Sequence, residues 1–336
     1  MYFDIAMPVA LFAVTMVATF LNGKVERKLK KTFEEREFGV KDAVMLVTAI
    51  SVAVSLMVFA PQLAVIAIFV FAYAALLFIF TYLFSDFGKT KAQFFCAAFI
   101  AASFLAATVS LFSMDVLGGL SAYGAAAFYS LCGFSFIALT YEQTRTRAGR
   151  RWYLAFLPSA LFMVLYAFYS RSPIWFPYLL NMYGIIFAVL VILYLGALFT
   201  WKTTLIFAGL LTVADIILVL VTRTMVSAAT HVFALGLPVL VTLPTVPAIT
   251  TSFGTLYMSL GLGDFFFAGL IAVQTYKKYG KNFAVLSAAA MAISFFIFEA
   301  LILSFRLGAF PGTLMIICGW LPLLLLKVSK ETKYAT

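Results

Sequence analysis

Residues 203–222 read TTLIFAGLLTVADIILVLVT, twenty positions between Lys202 and Arg223 with one charged side chain, Asp215, among them. About 20 mostly apolar residues make one helical crossing of a bilayer core, so the stretch reads as a transmembrane helix carrying an acid. The pattern recurs along the chain. Candidate spans fall at 2–22, 43–60, 62–84, 92–113, 120–140, 152–169, 174–200, 203–222, 247–276, 282–304 and 309–327. The second and third of these are the pair most easily merged. The expected fold is therefore all-α, a polytopic transmembrane helical bundle of about 9–11 spans.

Composition agrees. Of 336 residues, 65% are apolar and 11% charged, against about 25% charged in a soluble domain. A water-soluble globular protein is excluded. The net charge of +10 sits in short clusters between apolar runs, which is the signature of cytoplasmic loops rather than of nucleic-acid binding. Lys24, Arg27, Lys28, Lys30, Lys31 and Arg36 form the first cluster, Lys89 and Lys91 the second, and Arg145, Arg147, Arg150 and Arg151 the third. Lys202, then Lys277, Lys278 and Lys281, and finally Lys327, Lys330 and Lys333 continue the series. The N-terminus is expected outside and the C-terminus inside. Met1-Tyr2-Phe3-Asp4 lacks the basic n-region of a signal peptide, so the first run is expected to stay attached as a span.

Between the spans, Gly23 to Asp42 mixes Lys and Arg with Glu26, Glu34, Glu35 and Glu37, and reads as a solvated loop or a helical extension. Arg223 to about Pro247 is the longest irregular stretch. Pro238, Pro244 and Pro247 flank the β-branched run Val239-Leu240-Val241-Thr242, which predicts an outer loop with a short extended piece. Trp152, Trp175, Trp201 and Trp320 lie at expected span ends, as an interfacial belt would. With no internal repeat, the chain divides only into N-terminal helices, 1–173, and a C-terminal region, 174–336, that carries the unusual residues.

An ionisable side chain inside a span costs several kcal/mol unless paired or hydrated, and so marks function. Asp215, Asp264 and Glu299 qualify, while Asp4, Asp86 and Asp115 lie near span ends where water reaches. Glu299 reads as a packing residue or a partner for Arg306. Asp215 follows Lys202 by 13 residues and Asp264 precedes Lys277 by 13, so at 1.5 Å per residue both lie about 20 Å from the basic boundary. On antiparallel helices they can face each other. Two carboxyls that approach in a low dielectric share a proton and titrate as a unit. Such a pair offers one base to activate water and one acid to protonate a peptide carbonyl. Gly261 and Gly263, just ahead of Asp264, remove side chains where a helix or an extended substrate must come close.

Other chemistries lack residues. Cys96, Cys132 and Cys318 are unpaired within apolar runs, His231 is the only histidine, and no HExxH pattern occurs, so neither a metal site nor a cofactor is implied. Gly133-Phe134-Ser135-Phe136 is a poor nucleophile motif.

Gly261-Leu262-Gly263-Asp264 resembles the GxGD motif of the intramembrane aspartyl proteases, presenilin and signal peptide peptidase. That family also places an aspartate in the preceding span, usually after tyrosine; here it is Ala214-Asp215. Its Pro-Ala-Leu segment corresponds to Pro311-Gly312-Thr313-Leu314, with the proline kept and the next two residues changed. The resemblance covers roughly Ile174 to Lys327 and looks most like the archaeal branch. It implies Asp215 and Asp264 as the catalytic dyad, with Gly261, Leu262, Gly263, Pro311, Gly312, Thr313 and Leu314 as active-site support. It further implies transmembrane helical peptides as substrates, and an archaeal cell membrane as the location. The charge pattern makes the orientation that of signal peptide peptidase, so substrates with a cytoplasmic N-terminus are expected. Val239–Leu243 is similar to the segment that lends the family's substrates a strand edge. The alternatives are a secondary transporter using the same acids for protons or cations, and an inactive structural homologue.

Overall fold

A computed structural model describes residues 2–32, 37–57, 62–112, 120–146, 149–251, 254–305 and 307–335. The chain is an all-α polytopic helical bundle that, among the described residues, carries two short two-stranded antiparallel sheets, one pairing the first and last of four strands and the other the second and third. Its helices are α1 (Ala6–Thr32), α2 (Val40–Met57), α3 (Gln62–Leu83), α4 (Lys89–Phe112), α5 (Leu120–Thr144), α6 (Trp152–Tyr169), α7 (Leu180–Gly196), α8 (Trp201–Ile216), α9 (Thr224–Ala234), α10 (Leu262–Tyr279), α11 (Lys281–Phe305) and α12 (Gly312–Ala335). Among the described residues nine helical stretches are long and apolar enough to cross a membrane, which makes this an integral membrane protein. Strands β1 (Leu240–Pro244), β2 (Thr250–Thr251), β3 (Gly254–Thr255) and β4 (Tyr257–Gly261) lie between α9 and α10.

Several expectations change. The span at 247–276 is absent: its first part is β2 to β4, and the helix begins only at Leu262. The outer loop after Arg223 is helical over Thr224–Ala234 before the extended piece begins. Of the two readings of Gly23 to Asp42, the helical extension holds as far as Thr32, where α1 ends and Glu26 bonds Asn22 at 3.1 Å and pairs with Lys30 at 3.4 Å and Lys277 at 2.9 Å. Trp175 and Trp320 are fully buried rather than interfacial, and the Trp320 indole donates to Thr275 Oγ1 at 3.3 Å. Glu34, Glu35, Arg36, Asp115, Arg147 and Arg306 lie outside the described residues.

The chain forms two compact units, and the division differs from a cut at residue 173: Met1–Pro61 joins Leu180–Thr336, and Gln62–Leu179 stands as the second. In the second unit α4 packs along α5, and α3 along α6. A buried clamp closes its polar end. Arg151 donates to Glu142 Oε1 from Nε at 2.9 Å and from Nη2 at 2.6 Å. Tyr153 donates to the other Glu142 oxygen, and Arg151 Nη1 to the Phe87 carbonyl. The carboxylate beside it holds the Arg151 guanidinium above its ordinary range. A buried charge is tolerable when paired and hydrogen-bonded in this way.

The first unit is built around α10, which packs against α1, α7, α8, α11 and α12. Every residue from Phe265 to Thr275 is buried, as expected of a helix apolar all round. Close approach depends on small residues: a Cβ at Gly269 would meet the Ile192 side chain, with Cγ1 at 2.6 Å. Gly280, with φ +86°, is the whole turn between α10 and α11. The N-terminal end of α1 is tied in by Asp4, buried rather than hydrated, whose carboxylate accepts from Ala6, Met7 and Val246 N–H.

Candidate active site

Asp215 ends α8. That helix starts with a reciprocal Thr200–Thr203 cap and runs 13 residues from Lys202 to the acid, after which the chain continues as a π-helix over Ile217–Val221. Asp264 lies in the first turn of α10, 13 residues before Lys277. α12 obeys the same spacing, with Thr313 in its first turn and Lys327 14 residues later. Three helices thus bring polar groups to one depth, about 20 Å from their basic ends.

The start of α12 touches both acids. Thr313 donates to Asp215 Oδ2 from its backbone N at 3.2 Å and from its hydroxyl at 2.6 Å. One residue earlier, Gly312 faces Asp264: a Cβ there would lie 2.5 Å from Oδ1 and 2.6 Å from Cγ. The Asp264 carboxyl also receives a backbone hydrogen bond from Gly261 and feels the charge of Asp215. Asp215 is 9% exposed and Asp264 half-buried. Asp264 lies in the first turn of its own helix, whereas Asp215, in the last turn of α8, meets the N-terminal end of α12 through the Thr313 N–H; unpaired N–H groups at such ends favour negative charge.

The remaining residues of the two motifs are placed as follows. Pro311 is buried just before α12, and its carbonyl accepts from Met315 N–H at 3.3 Å. Leu314, next to Thr313 in the first turn of α12, is half-buried. Leu262 is buried and donates from its backbone to the Val239 carbonyl at 2.9 Å. Gly263 is exposed, with open space where a Cβ would stand.

The hairpin leads straight to the second acid. β1 pairs antiparallel with β4, Leu240 opposite Gly261 and Thr242 opposite Ser259. Flanking bonds from Thr245 N to Leu256 O and from Leu262 N to Val239 O set the alternation, which turns the backbone groups of Thr242 and Ser259 away from the partner strand. On the β1 side that edge is filled: Asn181 of α7 donates to the Thr242 carbonyl at 2.5 Å and accepts from its N–H at 2.7 Å. Gly184, one turn on, lets β1 lie against α7, since a Cβ there would stand 3.1 Å from Val241 Cγ2. On the β4 side, Ser259 has no backbone partner among the described residues. The open edge is therefore β4, which runs into Gly261, and not the Val239–Leu243 run.

Glu299 is apart from this cluster. It is buried on α11, and neither carboxylate oxygen has a hydrogen-bond partner among the described residues. His231 is exposed on α9, with Nδ1 2.8 Å from the Ser227 carbonyl. Among the described residues no group of three or more metal-ligating side chains comes together. Sequence reasoning did not single out Asn181, since one polar residue in an apolar helix reads as packing; the nearby β-branched run was its only signal. No protein-family model and no curated protein matches the chain, so the reading of this site rests on its own residues.

Proposed function

We propose that the protein is an intramembrane aspartyl protease, hydrolysing peptide bonds within single-span transmembrane helices or signal peptides. The observation that carries this reading is the convergence on α12: Thr313 on Asp215 and Gly312 on Asp264 hold two carboxyls from different helices at one polar locus. One carboxylate takes a proton from water as the oxygen attacks the scissile carbonyl. The other carboxyl gives its proton to the carbonyl oxygen, and the tetrahedral intermediate collapses as a proton passes to the leaving amine.

A substrate helix has its backbone groups satisfied internally and must unwind before cleavage, leaving donors and acceptors that lipid cannot satisfy. The outer edge of β4 at Ser259 supplies partners for an extended segment, and the strand delivers that segment beside Asp264. Charge places the hairpin at the outer face, so substrates with a cytoplasmic N-terminus fit; on the archaeal resemblance the membrane is an archaeal cell membrane. The reaction calls for no metal or organic cofactor.

The test is cleavage of a single-span reporter peptide in liposomes by wild type, Asp215→Asn and Asp264→Asn, with products identified by mass. Cuts within the apolar stretch by wild type alone are expected. Equal cutting by either variant would remove the dyad.

A further inference from the structure

The two aspartates are held differently. Asp215 Oδ2 accepts two hydrogen bonds from one residue, the Thr313 hydroxyl at 2.6 Å and the Thr313 backbone N–H at 3.2 Å. Both donors point at a charge, and donors fixed on a carboxylate favour its ionised form. Asp264 receives one backbone hydrogen bond, from Gly261, and otherwise faces the Cα of Gly312, which donates nothing comparable. From these contacts we infer that Asp215 is the ionised member of the pair and the base that activates water, that Asp264 carries the proton to the scissile carbonyl, and that Thr313 is the positioning residue that fixes this division of roles. The inference rests on the protease reading and adds to it which acid does what.

Among the described residues, the charged groups on the elements packed against the Asp215 helix lie away from it, Asp264 excepted. α8 packs against α2, α10 and α12. From α10 the titratable group facing Asp215 is Asp264 itself. Among the described residues, the other charged side chains on these helices are Lys202 on α8, Lys41 and Asp42 on α2, Lys277 and Lys278 on α10, and Lys327, Lys330 and Glu331 on α12; all lie toward the ends remote from the acids. The Thr313 hydroxyl is therefore the group whose removal separates the two roles. In the catalytic step, a proton passes from water to Asp215 while the water oxygen bonds the carbonyl carbon. The Asp264 proton passes to the carbonyl oxygen, so charge and atoms balance without any further reactant.

The measurement is the pH dependence of kcat/KM for reporter cleavage by wild type, Thr313→Val and Thr313→Ser. Valine keeps the shape and loses the hydroxyl. The acid limb, where the base becomes protonated, then moves to higher pH, and cleavage on that limb falls about tenfold. Serine keeps the donor and returns the limb to its wild-type position. An unmoved limb in Thr313→Val, or serine behaving as valine, overturns the assignment while leaving the protease itself standing. If wild type cuts no reporter, the protease reading fails separately, and an infrared titration decides the inference without turnover. In Asp264→Asn the carboxyl band that is lost on adding Asp215→Asn is expected to titrate at higher pH once Thr313 is valine. Titration at the same pH with Thr313 and with valine overturns it.

Discussion

Gly312 stands against the Asp264 carboxyl so closely that a methyl group on its Cα would lie 2.5 Å from Oδ1. The contact is with the end of a short side chain that itself sits in the first turn of α10, and α10 is buried from Phe265 to Thr275. The Asp264 carboxyl must shift to make room for the methyl. Gly312→Ala is therefore expected to lower reporter cleavage by at least about 100-fold, since misplacement by an ångström costs that much, while helical content by circular dichroism stays unchanged. Cleavage near the wild-type rate would show that the two carboxyls need not hold this spacing.

Asn181 makes two hydrogen bonds to one residue of β1. Replacement by leucine leaves the Thr242 N–H and C=O unsatisfied in a buried place, each at a cost of about 1–3 kcal/mol. Amide exchange at Thr242 should speed accordingly, and cleavage should suffer through KM more than kcat, because the strand pair and not the dyad is loosened. Unaltered exchange at Thr242 in Asn181→Leu would refute the anchoring role.

Two glycines at helix crossings should respond unequally. A Cβ at Gly269 meets the Ile192 side chain, which can change rotamer, whereas one at Gly319 meets the backbone carbonyl of Ala290 and Ser294 Cβ at 2.7 Å. Overpacking typically costs about 1–3 kcal/mol. Gly319→Ala should therefore lower the melting temperature more than Gly269→Ala, and the reverse order would mean that α12 shifts more easily than the Ile192 side chain.

In the other unit, Glu142→Gln removes the charge that faces Arg151 and keeps the shape. Breaking a buried pair from one side costs about 3–5 kcal/mol. A clear fall in thermal stability in detergent is expected, partly restored by Arg151→Gln in the same chain. An unchanged melt in the single variant would place the clamp in contact with water.

Much of this architecture is legible in the sequence because a bilayer imposes one length on every span, and hydropathy reads length directly. The depth of Asp215 and Asp264 follows from the same ruler, since Lys202 and Lys277 mark its zero. The ruler fails at Tyr257-Met258-Ser259-Leu260, a strand that runs without a polar break into the apolar start of α10; mean hydropathy cannot separate strand from helix there. It fails again at Thr224–Ala234, a helix too short to cross and followed by Gly236 and Pro238. Trp175 and Trp320 show a third limit: in a membrane protein an aromatic near a span end looks the same whether it meets headgroups or another helix. The role of Thr313 was out of reach, because a hydroxyl in a first turn declares its acceptor only when α8 is beside it.

α1 grips the rest of its unit at both ends. At one end, Asp4 and Ile5 bond the backbone of Val246, two residues past β1; at the other, Glu26 pairs with Lys277 near the end of α10. The helix thus serves as a removable wall for a core encoded about 180 residues later. A fragment comprising residues 180–336 should express as an open half-bundle with exposed apolar seams on α7 and α10. Adding residues 1–57 as a separate chain should close it, so that the two pieces copurify although no peptide bond joins them.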